Sequence, residues 1–200
     1  SNFSKCKEMI EDTNNNIYVQ IFASRTLLKL TEIDIPNWNI EFSIEFCDWS
    51  INFMLKNCLE LESSVFSYLS DMVALVLEYF WNSSEENHQI CLNEWNNIIR
   101  IFDSDPNEWV PALTLISSIH DKLYKSNDKK IVESFSNLCL LKTFTLAYNA
   151  AKRIRNTTVA NFEPILDLSL NIIVKFIDDW KEESQINEMI NDEQINFYFE

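Results

Sequence analysis

The chain of 200 residues offers few side chains that could do chemistry. Its two histidines, His88 and His120, stand in no sequence motif of nucleophilic catalysis or of metal binding. His120 precedes Asp121 within a predicted helix, where we expect it on the surface or in a groove. The acidic pair Asp178-Asp179 lacks the further carboxylates that a magnesium site needs, so it is interpreted as a solvated helix end.

The cysteines indicate packing rather than chemistry. Their number is odd and no two of them form a C-x-x-C pair. They are Cys6, Cys47, Cys58, Cys91 and Cys139. Each lies in an apolar stretch, where an unpaired cysteine behaves as a small hydrophobic residue. The pattern predicts reduced thiols, as in proteins of the cytosol or nucleus.

The absence of glycine restricts the possible functions most strongly. The chain has no glycine, although a chain of this length usually carries about fourteen. P-loops, dinucleotide-binding loops and nucleophile elbows all need glycine. With no other motif present, we expect no enzyme, no metal and no cofactor. The alternative is an all-α enzyme without a known motif, which a pocket of converging ionisable side chains would reveal.

The charge balance bears on the kind of partner. Lys and Arg number 16 and Asp and Glu number 31, which gives a net charge of −15. This charge is repelled by nucleic acids and by anionic membranes, so neither is expected as a partner. A basic surface on another protein would be attracted. The alternative is that the acidity only keeps the protein soluble.

Apolar residues recur at i, i+3, i+4 and i+7 along nearly the whole chain, which is the pattern of amphipathic helices. The predicted helices lie near 3–12, 17–31, 39–57, 63–81, 87–102, 107–124, 131–154 with an interruption near 136, and 161–180. Pro111 should delay or kink the helix it enters. Several asparagines near the predicted helix ends are expected to form the left-handed caps that glycine usually supplies. They are Asn14, Asn57, Asn82, Asn127 and Asn156.

Paired helices at a spacing of about 40–50 residues predict an all-α fold, a right-handed α-solenoid of about four HEAT-type helical hairpins. The hairpins are 3–31, 39–81, 87–124 and 131–180, which together form one N-terminal segment over 1–200. The alternative is a compact helical bundle. Solenoids need polar end caps and neither end of this sequence offers one, so we expect a longer natural chain.

The second helix of each pair carries one polar stripe and is otherwise apolar, which predicts packing on both flanks. The stripes are Ser63, Ser67, Ser70, Asp71, Ala74 and Glu78; Thr114, Ser117, Ser118, Asp121 and Lys125; and Asp167, Asn171, Lys175 and Asp178. In a solenoid such stripes line the concave binding surface. The alternative is that each stripe is only a solvent-facing surface.

Three segments carry a resemblance to a known family. The first joins Ser4-Lys5-Cys6 to Tyr18-Val19-Gln20-Ile21-Phe22-Ala23-Ser24 and Leu27-Leu28-Lys29-Leu30. The second is Ser134-Phe135-Ser136-Asn137-Leu138 with Phe144-Thr145-Leu146-Ala147-Tyr148-Asn149, and the third is Ile165-Leu166-Asp167-Leu168-Ser169-Leu170-Asn171. In order and spacing they resemble the N-terminal region of the importin-β (karyopherin) superfamily, and within it the exportin-seven group. Between 35 and 105 only the helix pattern is similar.

The resemblance implies a nuclear export receptor that binds the GTP form of the small GTPase Ran through its inner helices. It implies cargo and nuclear pore proteins as further partners, and shuttling between nucleus and cytoplasm. By position, the implied Ran-binding residues are Arg25, Lys29, Ser67, Asp71, Glu78, Ser117, Ser118 and Asp121. The alternative is a HEAT or armadillo-type interaction scaffold that does not depend on Ran.

Overall fold

The computed structural model describes residues 2–12, 14–154 and 162–180, with the side chains of 140, 162 and 176–180 left out. Within these ranges the chain is all-helical and has no strand, so the predicted all-α class is confirmed. The helices are α1 (Asn2–Glu11), α2 (Ile17–Asp34), α3 (Ile40–Lys56), α4 (Ser63–Trp81), α5 (Glu85–Arg100), α6 (Trp109–Leu123), α7 (Lys129–Phe135), α8 (Leu141–Ile154) and α9 (Phe162–Trp180). Asn156, the terminal stretch 181–200 and the side chains of Asp178-Asp179 lie outside the described part.

Capping side chains determine where helices α2 and α3 begin, because they accept hydrogen bonds from the backbone N–H groups that the first turn leaves unpaired. Asn16 accepts from the N–H of Tyr18 before α2, and Asn39 accepts from the N–H of Phe42 before α3. Each such bond satisfies one of the donors that a helix N-terminus leaves unpaired. Asn16 and Asn39 therefore cap the N-termini of α2 and α3.

The predicted left-handed asparagine caps are wrong for the described residues. Asn57 and Asn82 end α3 and α4 with φ of −113° and −116°, and no described residue has a positive φ. Each helix instead ends in a region that any residue adopts, with the N–H of the asparagine bonded to a carbonyl in the last turn. A chain without glycine can end its helices in this way.

Proline and a π-helical turn explain two departures from regular helix. α6 begins at Trp109, after a 3₁₀ turn over Pro106–Glu108, so Pro111 becomes its third residue, where no N–H is needed. The predicted delay of this helix is confirmed. The predicted interruption near 136 is a single π-helical turn, Ser136–Leu140, between α7 and α8.

The second helices of the predicted pairs pack side by side. α2 packs against α4, α4 against α6, and α6 against α9, and we call these four helices the helix row. The first helices pack on them: α1 on α2, α3 on α4, α5 on α4 and α6, and α8 on α9. None of the described helices combines the length and the apolar character needed to span a membrane.

The core lies around α4 and α6, the middle helices of the row. Of the 19 residues of α4, eleven are buried, because other helices cover it on both flanks and from behind. This burial includes Ser70 and Ala74, which the sequence placed on the polar stripe. His120 is also buried, at 1% exposure, so the expectation of a surface or groove position is wrong. It stacks on Tyr124, with ring centroids 5.1 Å apart.

The five cysteines are free, and all except Cys58 are buried. Burial raises the pKa of the Cys91 and Cys139 thiols to about 12. These side chains therefore stay protonated at neutral pH and act as hydrophobic packing groups.

Candidate partner-binding surface

Helix α4 has an open strip that carries three of the predicted binding residues, Ser67, Asp71 and Glu78. Ser67 is exposed, and Asp71 and Glu78 are half-buried. Positions 67, 71 and 78 lie four and seven residues apart, so they share one face of the helix. Eleven of the 19 residues of α4 are buried by its neighbours, so a partner can reach the helix only from its open side, which carries this strip together with the exposed Tyr79.

The neighbouring strip of α2 carries the two predicted basic residues. Arg25 and Lys29 are both exposed. The Nζ of Lys29 donates to a carboxylate oxygen of Glu32 at 2.6 Å. Both side chains of this pair are more than a third exposed, so the pair contributes little to stability and can exchange partners.

The strip of α6 is different, because α9 closes part of it. The Nζ of Lys175 donates to Ser117 Oγ at 3.0 Å and to Asp121 Oδ2 at 2.6 Å. Lys125 donates to the other oxygen of Asp121 at 3.1 Å. Two of the eight predicted binding residues are thus joined to each other through one lysine of α9, while Ser118 lies half-buried beside them.

The ionisation of Asp121 follows from these contacts. Burial disfavours its charged form, but the nearby His120 ring and hydrogen bonds from Lys175 and Lys125 outweigh burial and hold the pKa of the carboxyl far below its usual range. His120 Nδ1 lies 3.7 Å from Asp121 Oδ1. Asp121 is therefore charged at every physiological pH and fixes α9 to α6.

We expect Asp121→Asn to lower the free energy of unfolding at pH 7 by about 1 kcal/mol, a modest loss because the carboxylate is 38% exposed. A lowered pKa adds stability above the unfolded-state value of about 3.9, and this stability is lost as the pH falls through the folded-state value. The difference between wild type and variant should thus stay constant down to about pH 5 and shrink below about pH 4. Urea denaturation at several pH values measures it. The control is Asp167→Asn, at an exposed position of α9. Equal losses of unfolding free energy in the two variants would contradict the role of Asp121 in fixing α9 to α6.

Large apolar side chains on α2 and α4 are exposed, which the sequence pattern did not predict. Tyr18, Phe22 and Ile33 of α2 and Tyr79 of α4 are exposed. The sequence signal was available, because positions 18, 22 and 33 share one helix face with Arg25 and Lys29. Aromatic and aliphatic residues in a helix are normally assigned to the core, so the pattern did not predict the exposure of these side chains.

Two concave sites lie away from this surface. A groove of about 560 Å³ between α1 and α3 is lined by Glu11, Trp49 and Lys56, among others. A pocket of about 290 Å³ where α4, α5 and α7 meet contains His88, whose Nδ1–H donates to the carbonyl of Trp81 at 2.9 Å. Within the described ranges no three His, Cys, Asp or Glu residues are grouped so that they could hold a metal ion.

Comparison with known proteins finds no match: no family model, no curated protein and no solved structure matches the chain.

Proposed function

We propose that this chain is a segment of a nuclear transport receptor and that the open strips of α2, α4 and α6 bind the GTP form of Ran. The observation that carries the proposal is the packing of the second helices in one row, with exposed or half-buried polar side chains on α2, α4 and α6. The partner's identity comes from the resemblance of three segments to exportins. In this proposal GTP hydrolysis belongs to Ran, and the segment has no catalytic activity and no cofactor.

The helix row supports a solenoid within this proposal. In a HEAT-type solenoid each hairpin contacts its neighbours along the chain, as α2, α4, α6 and α9 do in order. We infer that the stacking is right-handed, as in the family that the segments resemble. Cargo and nuclear pore proteins would bind the same receptor, which would shuttle between nucleus and cytoplasm.

The charges of the surface favour a specific protein partner. Arg25 and Lys29 on α2 are exposed, and Asp71 and Glu78 are half-buried on α4, the helix of the row that packs against α2. Mixed charges on adjacent strips select a partner of complementary pattern and reject others through unpaired or like charges.

We expect the double variant Asp71→Lys/Glu78→Lys to weaken binding of Ran-GTP by about tenfold or more, because four units of charge change at the strip of the central helix. Isothermal titration calorimetry with Ran loaded with a non-hydrolysable GTP analogue measures the affinity. The control is Glu45→Lys/Glu133→Lys, which makes the same change in net charge at exposed positions of α3 and α7. Circular dichroism checks that both variants are folded. Equal affinities of the two double variants would remove Asp71 and Glu78 from the site.

A second candidate is a helical-repeat scaffold that binds a protein other than Ran. The contact of Lys175 with Ser117 and Asp121 favours it, because these two side chains are engaged by α9 and are less available to Ran. A partner of this scaffold would bind mainly α2 and α4. Binding that is the same with Ran-GTP and Ran-GDP, or absent with both, would favour this candidate.

A further inference from the structure

α2 is the first helix of the helix row and is packed less completely than the helices that follow it. α4 has row neighbours on both flanks, α2 and α6, and α6 lies between α4 and α9. The described helices that pack along α2 are α1 and α4. In the described part of the chain, the face of α2 that is not packed against these two helices is exposed.

That face is apolar at both ends and basic in the middle. Tyr18, Phe22 and Ile33 are 75%, 65% and 70% exposed, and Arg25 and Lys29 lie between them and are exposed too. Positions 18, 22, 25, 29 and 33 follow one another at helical spacing, so they form a single line, which we call the α2 stripe. It is about 22 Å long at 1.5 Å per residue, or four helical turns.

The composition of the α2 stripe defines what would cover it. Large apolar groups that are 65% exposed or more gain free energy when another apolar surface removes them from water. Arg25 and Lys29, the latter in an exposed ion pair with Glu32, favour carboxylates at the centre of the contact. Both demands are met along four turns by a helix with apolar residues at i, i+4 and i+15 and acidic residues between them.

A second copy of this chain fits the α2 stripe poorly. Two α2 helices packed antiparallel about a two-fold axis would bring Arg25 close to Arg25 of the other copy, and the two chains would each carry a net charge of −15. Like charges at the centre of a contact cost free energy. The occupant must instead bring negative charge to this face.

We propose that the α2 stripe binds an acidic amphipathic helix of a partner protein, with Tyr18, Phe22 and Ile33 covered by its apolar face and Arg25 and Lys29 paired with its carboxylates. The Lys29–Glu32 ion pair is exposed and opens to admit the incoming carboxylate. The proposal rests on the proposed function only in treating α2 as part of the partner-binding surface.

The probe is a labelled 18-residue helical peptide of Leu, Ala and Glu, with Leu along one face and Glu beside it. The matched control peptide has Lys in place of Glu. Fluorescence anisotropy at physiological salt measures the affinity of both peptides for the protein. We expect the acidic peptide to bind about tenfold tighter or more. The preference is diagnostic, because non-specific attraction to a chain of charge −15 would favour the basic peptide. Equal binding, or tighter binding of the basic peptide, would overturn the proposal.

Variants locate the contact. Phe22→Ser should weaken binding of the acidic peptide about tenfold or more, because the contact loses an aromatic anchor. Arg25→Glu/Lys29→Glu should reverse the preference toward the basic peptide. Leu59→Ser, at a loop residue of similar exposure, is the control and should change neither affinity. Binding of the acidic peptide that survives Phe22→Ser and the charge reversal would contradict the proposal.

The two proposals fail separately. If the acidic peptide binds the α2 stripe and Ran-GTP does not bind the protein, the proposed function is wrong and the inference about α2 stands. If Ran-GTP binds and the acidic peptide does not, the inference about α2 is wrong.

Discussion

Replacing Trp81 with alanine is expected to lower the free energy of unfolding by about 3–5 kcal/mol. Trp81 is the last residue of α4 and is fully buried. Its indole N–H donates to Ser134 Oγ of α7 at 3.2 Å, and its ring contacts His88 of α5 and Phe135 of α7 edge to face. Three helices therefore meet on one side chain. Its loss opens a cavity and leaves the Ser134 hydroxyl without this donor.

Urea denaturation followed by circular dichroism measures the effect. Trp81→Phe keeps most of the apolar volume and should cost only about 1–2 kcal/mol, mainly for the lost hydrogen bond and some volume. Tyr18→Ala, at an exposed position of α2, is the control and should change stability by less than about 0.5 kcal/mol. A loss in Trp81→Ala no larger than in this control would contradict the packing of α4, α5 and α7.

Replacing Glu94 with methionine is expected to stabilise the protein at pH 8 by about 1–3 kcal/mol, the usual cost of a buried polar atom that lacks a hydrogen bond. Glu94 of α5 is 7% exposed, and its Oε2 accepts no hydrogen bond from any described residue. Its other carboxylate oxygen accepts from Asn97 Nδ2 at 3.3 Å. Burial, and then the charge of Asp48, raises the pKa of this carboxyl above its usual value.

The sign of the pH dependence follows from the raised pKa. The folded state favours the protonated form, so the stability from this group is complete below the unfolded-state pKa of about 4.3 and is lost as the pH rises through the folded-state pKa. The gain from Glu94→Met should therefore be larger at pH 8 than at pH 4.5. Denaturation at both pH values measures it, with the exposed Glu45→Met of α3 as control. A gain that is equal at both pH values would show that ionisation of Glu94 plays no part.

The helices could be predicted well because their signal is local. The predicted helix 63–81 is α4 to the residue, and the interruption near 136 is the π-helical turn between α7 and α8. An amphipathic period and the polar segments between helices are properties of neighbouring residues, and they do not depend on how the helices pack.

The errors arise where packing decides. Ser70 has the polarity of a surface residue but is buried, with its hydroxyl 3.7 Å from the sulfur of Met54 on α3. The contact between Asp121 and Lys175 joins residues 54 positions apart and depends on the position of α9 beside α6. The cap geometry of Asn57 and Asn82 could not be deduced either, because asparagine tolerates both signs of φ.

The central claim is that the open strips of the helix row bind the small GTPase Ran in its GTP-bound form. The most direct measurement is a titration of the protein with Ran loaded either with a non-hydrolysable GTP analogue or with GDP. We predict that the GTP form binds about tenfold tighter or more, a difference of about 1.4 kcal/mol. Equal affinity for the two forms, or no binding of either, would contradict the claim.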